Sequence, residues 1–99
     1  MTAPAAQPPR FGFTVGDVVV VTGAGSGIGR AVARHAAAAG LVVTALDLDQ
    51  RSVTATVADI ERAGGRAAAV VADVTRADQV EAGLARAREL GPVRYLVNN

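Results

Sequence analysis

Four glycines alternate with other residues between Gly23 and Gly29, in the run Gly-Ala-Gly-Ser-Gly-Ile-Gly. Four valines and a threonine, residues 18–22, precede the run, and an alanine-rich segment follows it. The short apolar β-branched run predicts a strand that is buried on both faces, and the alanine-rich segment predicts a helix. A strand, a glycine turn and a helix in this order are typical of sites that bind the pyrophosphate of a dinucleotide.

The positions of these glycines suit anion binding for physical reasons. A backbone that wraps a phosphate must bring its N–H groups close to the anion, and a Cβ would block that approach. The N-terminus of a helix adds free N–H groups and a partial positive charge. We therefore assign Gly23 to the turn, Gly27 to the close approach and Gly29 to packing of the helix on the strand. Ser26 can offer its hydroxyl to the ligand or cap the helix.

An acidic residue follows at the spacing that a dinucleotide site requires. Residues 41–46 are predicted to form a second strand, and Asp47, at its carboxyl end, stands 18 residues beyond Gly29, close to the spacing of about 20 that such a site has. A carboxylate at this place accepts hydrogen bonds from the ribose hydroxyls of the adenosine, and Leu48 would then border the adenine. The alternative for Asp47 is a helix cap or a surface carboxylate, and Asp49 could fill the capping role instead.

Asp47 also bears on the choice between NAD and NADP. The 2′-phosphate of NADP would meet the like charge of Asp47, and neither residues 24–26 nor Leu48 supply a cation. We therefore expect NAD as the cofactor, with NADP less favoured. Arg51, in the predicted second helix, is a cation whose side chain could turn toward such a phosphate.

Alternating strands and helices are predicted to hold these residues in place. The strands cover residues 17–22, 41–46, 67–72 and 93–98, and the first two helices cover residues 27–39 and 50–63. Right-handed crossovers with the first strand in the centre give the strand order 3-2-1-4. The fold class is therefore predicted as α/β, with one half of a Rossmann-type doubly wound parallel sheet.

Local signals predict where the helices begin and end. Gly40 should end the first helix, and the Gly91-Pro92 pair should end the third near residue 90. Thr75 and Asp78 have the spacing of a capping box at the start of the third helix. The inward face of the first helix is predicted to consist of Ile28, Val32, Ala33, Ala36 and Ala37.

The composition narrows the class of protein. The 99 residues carry a net charge of +1 and no cysteine. Nothing in this balance indicates a nucleic acid or a membrane as partner, and we expect no metal site and no membrane span. Residues 1–16, rich in proline and alanine, are predicted to be a flexible extension, followed by a cofactor-binding unit over residues 17–99. Phe11 and Phe13 are expected to pack onto the sheet edge, unless residues 11–15 bind a partner.

The glycine run has a more specific resemblance. Residues 22–29 read Thr-Gly-x-x-x-Gly-Ile-Gly, which resembles the signature of the short-chain dehydrogenase/reductase family. The general pattern G-x-G-x-x-G is not met, because Ile28 stands where its last glycine would be. The resemblance extends over residues 17–99, because two later motifs follow in the order that the family has them.

Those two motifs are the pairs Asp73-Val74 and Asn98-Asn99. The resemblance implies that Asp73 accepts a hydrogen bond from the exocyclic amine of adenine and that Val74 packs on the ring, although a plain strand end is the alternative. The asparagines resemble the start of the N-N-A-G motif, which implies that Asn99 lines the cofactor cleft and that Asn98 is structural. The residues expected to bind the cofactor are Gly23, Gly25, Ser26, Gly27, Ile28, Gly29, Asp47, Leu48, Asp73, Val74 and Asn99.

The resemblance also implies an activity, namely hydride transfer between a nicotinamide cofactor and a small alcohol or ketone. The family's catalytic serine, Tyr-x-x-x-Lys pair and asparagine lie downstream of N-N-A-G. These 99 residues contain no lysine, and their one tyrosine, Tyr95, falls in a predicted strand as a core residue. We therefore expect no catalytic residue here and a truncated, inactive chain. The complete protein is expected to be a cytoplasmic homo-oligomer, and the alternative function is a non-catalytic nucleotide-binding or sensing module.

Overall fold

The computed structural model describes residues 13–99, in which strands and helices alternate. The predictions for Phe11 and for most of the flexible extension lie outside the described residues. Each element observed starts and ends within a residue or two of its prediction. The elements are β1 (Val18–Thr22), α1 (Gly27–Ala38), β2 (Val42–Asp47), α2 (Gln50–Arg62), β3 (Arg66–Val71), α3 (Ala77–Leu90) and β4 (Val93–Val97).

The four described strands form one parallel sheet in the order β3-β2-β1-β4, which confirms the predicted topology. β1 lies between its two neighbours, and Val18 pairs with Val42 on one side and with Val93 on the other. Because the strands are parallel, their carboxyl ends meet at one edge of the sheet, where α/β proteins bind their ligands. The glycine turn after β1 therefore lies between the ends of β2 and β4.

Helices cover both faces of the sheet. Ala33 and Ala37 of α1 and Ile60 of α2 pack on the face that includes Val19 and Val21. Ala87 of α3 packs on the opposite face. The valines of β1 face these two clusters alternately, and all four are at most 2% exposed, so the β-branched run is buried on both sides as predicted.

Two predictions about the helices are wrong, namely the burial of Ile28 and the capping box of α3. Ile28 is 74% exposed, because the helix approaches the sheet through Gly29 and its neighbours every four residues, which leaves Ile28 on the open side of the first turn. The capping box is also absent, since the N-cap of α3 is Arg76 and it makes no side-chain cap hydrogen bond. The Thr75 hydroxyl donates instead to Oδ1 of Asp73, at 2.6 Å.

The chain before β1 contacts the sheet. The ring of Phe13 meets that of Tyr95 edge to face, with centroids 5.0 Å apart, and Tyr95 belongs to the edge strand β4. The N–H of Gly16 donates to the carbonyl of Gly40 at 2.9 Å. The prediction that Phe13 packs onto the sheet edge is thus confirmed. Within residues 13–99, no helix combines the length and the apolar character needed to cross a membrane.

Candidate cofactor-binding site

The glycine turn leaves the N-terminus of α1 open. Gly23 and Gly27 have φ angles of +62° and +57°, which glycine adopts without strain. Ser26 is the N-cap residue of α1, but its side chain makes no cap hydrogen bond. A Cβ built on Gly27 would have no described atom within 4 Å. The first amides of the helix therefore face an accessible space, which is the arrangement that favours an anion.

Gly29 lies on the crowded side of the same turn. A Cβ at this position would be 2.1 Å from the carbonyl oxygen of Gly23 and 2.7 Å from Nδ2 of Asn99. No real side chain fits such a gap, so only glycine allows α1 to lie this close to the turn. This crowding supports the assignment of Gly29 to packing.

Thr22 connects the turn to the end of β4. Its Oγ1 accepts a hydrogen bond from the N–H of Asn99 at 3.0 Å and lies 3.3 Å from Oδ1 of Asn98. The Nδ2 of Asn99 is 3.5 Å from the carbonyl oxygen of Gly23. The structure thus places Asn98 against Thr22, the last residue of β1, and Asn99 beside the glycine turn.

The carboxylate of Asp47 also contacts the turn. Its Oδ2 accepts a hydrogen bond from the N–H of Gly25 at 2.8 Å, and its Oδ1 accepts one from the N–H of Asp49 at 3.1 Å. The carboxylate is half-buried beside the glycines, and the neighbouring Leu48 is exposed. Asp47 is therefore part of the same site as the turn.

Asp49, and not Asp47, is the residue that caps α2. Its Oδ1 accepts hydrogen bonds from the N–H of Arg51 at 3.0 Å and of Ser52 at 3.3 Å. These donors favour the ionised form, and the backbone N–H of Ser52 has the largest effect in lowering the pKa of the Asp49 carboxyl.

Asp73 and Val74 lie after the end of β3. The hydroxyl of Thr75 and, after it, the N–H of Thr75 lower the pKa of Asp73 by hydrogen bonding to its Oδ1. Val74 is about half exposed, at 51%. The N–H of Ala72 donates to the carbonyl of Asp47 at 3.0 Å, which attaches this segment to the end of β2. Among the described residues, no hydrogen bond or ion pair joins Asp73 to the glycine turn.

One residue of the site was missed in the sequence. Thr56 is fully buried on α2, and its Oγ1 donates to the carbonyl oxygen of Ala24 at 2.9 Å. Its signal in the sequence is a polar residue within the apolar stripe that Val53, Val57 and Ile60 form on the same helix. Residues 13–99 contain no group of three or more histidine, cysteine or acidic side chains placed so that they could hold a metal ion.

The family model for short chain dehydrogenase matches residues 17–99. The chain belongs to the short-chain dehydrogenase family. Its open glycine turn fits a dinucleotide, because Gly27 leaves room where any other residue would place a Cβ. Membership of this oxidoreductase family also favours the enzyme interpretation over a non-catalytic nucleotide-binding or sensing module.

Several members of the family are similar to this chain. The short-chain reductase protein NovJ of Streptomyces niveus is 42% identical over 99 residues, covering 99% of this chain and 38% of NovJ. A crystal structure of a short-chain dehydrogenase/reductase from Burkholderia phymatum in complex with NAD matches with a TM-score of 0.80 and 38% identity, over 83% of this chain and 30% of that one.

A crystal structure of actinorhodin polyketide ketoreductase with NADPH matches with a TM-score of 0.79 and 36% identity, over 84% of this chain and 32% of the ketoreductase. The 99 residues therefore span less than two fifths of the length of these proteins. Both nicotinamide dinucleotides occur among the structural neighbours.

Proposed function

We propose that residues 17–99 bind the dinucleotide of an oxidoreductase that transfers hydride between a nicotinamide cofactor and a small alcohol or ketone. The observation that carries the proposal is the open N-terminus of α1. Its N-cap Ser26 provides no side-chain hydrogen bond, and the Gly27 beside it leaves free space. A dinucleotide pyrophosphate would supply the missing acceptor for these amides.

Each part of the site has a task in this proposal. The amides that follow Gly25 bind the pyrophosphate, and Ile28 lines the same side of the turn. The Asp47 carboxylate accepts from the adenosine ribose, and the exposed side chains of Leu48 and Val74 flank the adenine. Asp73, whose carboxyl pKa is lowered by its hydrogen bonds from Thr75, accepts from the adenine amine. Asn99 and Gly23 border the cleft.

These residues bind and orient the cofactor, and none of them is proposed to transfer a proton. The nicotinamide ring, when bound, accepts or releases the hydride. Tyr95 packs edge to face on Phe13, and residues 1–99 include no lysine. We propose that the proton-transfer and substrate-binding groups belong to other parts of the whole protein.

We further propose that NAD is preferred to NADP. A 2′-phosphate next to the Asp47 carboxylate would be repelled by about 4 kcal/mol per pair of unit charges at 4 Å and an effective dielectric constant of 20. The ribose hydrogen bonds that it would replace contribute about 1.5–3 kcal/mol. Both effects disfavour NADP, and the repulsion of the 2′-phosphate is larger than the loss of the ribose hydrogen bonds. Arg51 lies at the start of α2, where its N–H donates to Asp49, and its side chain is the cation that could offset part of the repulsion.

Calorimetric titration with NAD⁺ and with NADP⁺ tests both proposals. We expect NAD⁺ to bind more tightly than NADP⁺. We expect Asp47→Asn to reduce the difference between the dissociation constants of the two cofactors. Asp78→Asn, which removes an exposed carboxylate on α3, is the control and should preserve the difference. Tighter binding of NADP⁺ by the unmodified protein would contradict the NAD preference, and no binding of either would contradict the proposed function.

A further inference from the structure

The buried hydroxyl of Thr56 lies directly beneath the glycine turn. Thr56 has no exposed surface, and its Oγ1 is 2.9 Å from the carbonyl oxygen of Ala24 and 3.2 Å from that of Ser52. The bond to Ser52 is the local one that a helical threonine commonly makes. The shorter bond to Ala24 joins two elements that are distant in the sequence, so it restrains the turn and not only the helix.

The peptide unit between Ala24 and Gly25 is held at both of its polar groups. Its carbonyl accepts from Thr56, and its N–H donates to Oδ2 of Asp47 at 2.8 Å. The preceding N–H, that of Ala24, donates to the carbonyl of Leu46 at 3.0 Å. The plane of this peptide is therefore fixed by two side chains, one from the end of β2 and one from α2.

The two hydrogen bonds are important because Gly25 has no side chain that would restrict its backbone conformation. A Cβ on Gly25 would lie 2.7 Å from Cβ of Ser52 and 2.8 Å from Oδ2 of Asp47, so another residue would not fit. Glycine makes the close contact possible but also allows more backbone conformations than any other residue. Without its two hydrogen bonds, the peptide would be free to rotate, and the amides that follow it would lose their common orientation.

We propose that Thr56 is a positioning residue for the dinucleotide turn, acting through the Ala24 carbonyl. The inference rests on the proposed function, since it assumes that the amides after Gly25 bind a pyrophosphate. Thr56 touches no ligand itself. It orients the amides before the ligand arrives, so that binding does not have to order them.

The test compares NAD⁺ affinity in variants that differ by one hydroxyl. Thr56→Val keeps the shape of the side chain and removes the donor, and we expect a dissociation constant about three to ten times higher. Thr56→Ser retains the donor and should bind NAD⁺ nearly as well as the unmodified protein. If the valine variant folds poorly, the NAD⁺ dissociation constants of Thr56→Ala and Thr56→Ser provide a second comparison, because these two variants differ only by the hydroxyl group.

Thr44→Val is the matched control. Thr44 is also fully buried, in the neighbouring strand β2, but its hydroxyl has no hydrogen-bond partner among the described residues. We expect its affinity for NAD⁺ to be unchanged. Thermal unfolding of every variant is measured in parallel, without cofactor.

Weakened NAD⁺ binding in Thr56→Val, with rescue by serine, would support the positioning role. A lower melting temperature with an unchanged dissociation constant would overturn it, because a purely structural hydroxyl affects stability alone. Failure of the unmodified protein to bind either NAD⁺ or NADP⁺ is a distinct result. It would contradict the proposed function and, with it, the positioning role of Thr56.

Discussion

Gly29 and Gly23 meet backbone to backbone, so that a Cβ on Gly29 would lie 2.1 Å from the carbonyl oxygen of Gly23. The contact joins the first turn of α1 to the end of β1. It brings the helix N-terminus to the carboxyl edge of the sheet, where Asp47 and Asn99 also contact the turn. The geometry of the candidate site thus depends on the absence of one methyl group.

Replacing Gly29 should therefore destabilise the fold itself. We expect Gly29→Ala to lower the free energy of unfolding by about 1–3 kcal/mol, as overpacking does elsewhere. Gly83→Ala is the control, because Gly83 is also a buried helical glycine and the atoms nearest to its Cβ would belong to the side chains of Leu46, at 3.1 Å, and Val70, at 3.7 Å, and not to the backbone. Urea unfolding without cofactor measures both, and equal losses would argue against the backbone contact as the cause.

The cap of α2 should make stability depend on acid pH. The pKa of Asp49 is lowered in the fold from its ordinary value of 3.8, first of all by the N–H of Ser52. A lowered pKa means that its contribution is complete above the unfolded value and is lost as the pH falls through the lower, folded value.

We expect Asp49→Asn to keep most of the stability at neutral pH, because asparagine also caps helices well, and to reduce the loss below about pH 4. Melting temperatures of both proteins between neutral pH and strongly acidic pH test this expectation. Parallel curves for the two proteins over the acid range would show that Asp49 does not contribute to the pH dependence.

Replacing Thr44 with an apolar residue of the same shape should stabilise the fold. Its buried hydroxyl has no partner within the described part of the chain, and an unpaired buried hydroxyl costs about 1–3 kcal/mol. Thr44→Val keeps the shape and suits a β-strand, so we expect a gain in unfolding free energy of about 1 kcal/mol. Calorimetric unfolding measures the change. A loss of stability would mean that the hydroxyl is hydrogen-bonded after all.

The sequence was sufficient to predict the fold because its strongest signals are local. The valine run of β1 and the helix-ending Gly40 indicate the order of elements, and right-handed crossovers with β1 in the centre then give the strand order 3-2-1-4. The acidic residue Asp47 and the final Asn98-Asn99 pair indicate which strand ends meet the turn, and the structure places Asp47 and Asn99 there.

The remaining details depend on contacts that no local pattern encodes. Ile28 has the helical spacing of a core residue, but the close approach at Gly29 turns it toward solvent. Thr75 has the spacing of a cap, but the N-cap residue of α3 is Arg76, and the Thr75 hydroxyl donates to Asp73 at 2.6 Å. The bond from Thr56 to Ala24 joins two elements whose distance is set only when α2 packs on the sheet.

In the proposed function, the dinucleotide occupies the space beside Gly27. Gly27 and Gly64 offer a matched pair, because both have positive φ angles, +57° and +90°, and neither would place a Cβ within 4 Å of a described atom. Alanine at either position should cost about 1–2 kcal/mol of stability from the left-handed backbone. Only the alanine at position 27 would stand in the proposed pyrophosphate space.

The most direct measurement is therefore calorimetric titration of NAD⁺ into Gly27→Ala, Gly64→Ala and the unmodified protein. We expect Gly27→Ala to weaken binding by about tenfold or more, since each 1.4 kcal/mol of lost interaction is a factor of ten, and Gly64→Ala to bind like the unmodified protein. Equal affinity in all three proteins would contradict the account, because the dinucleotide would then bind elsewhere than at the open N-terminus of α1.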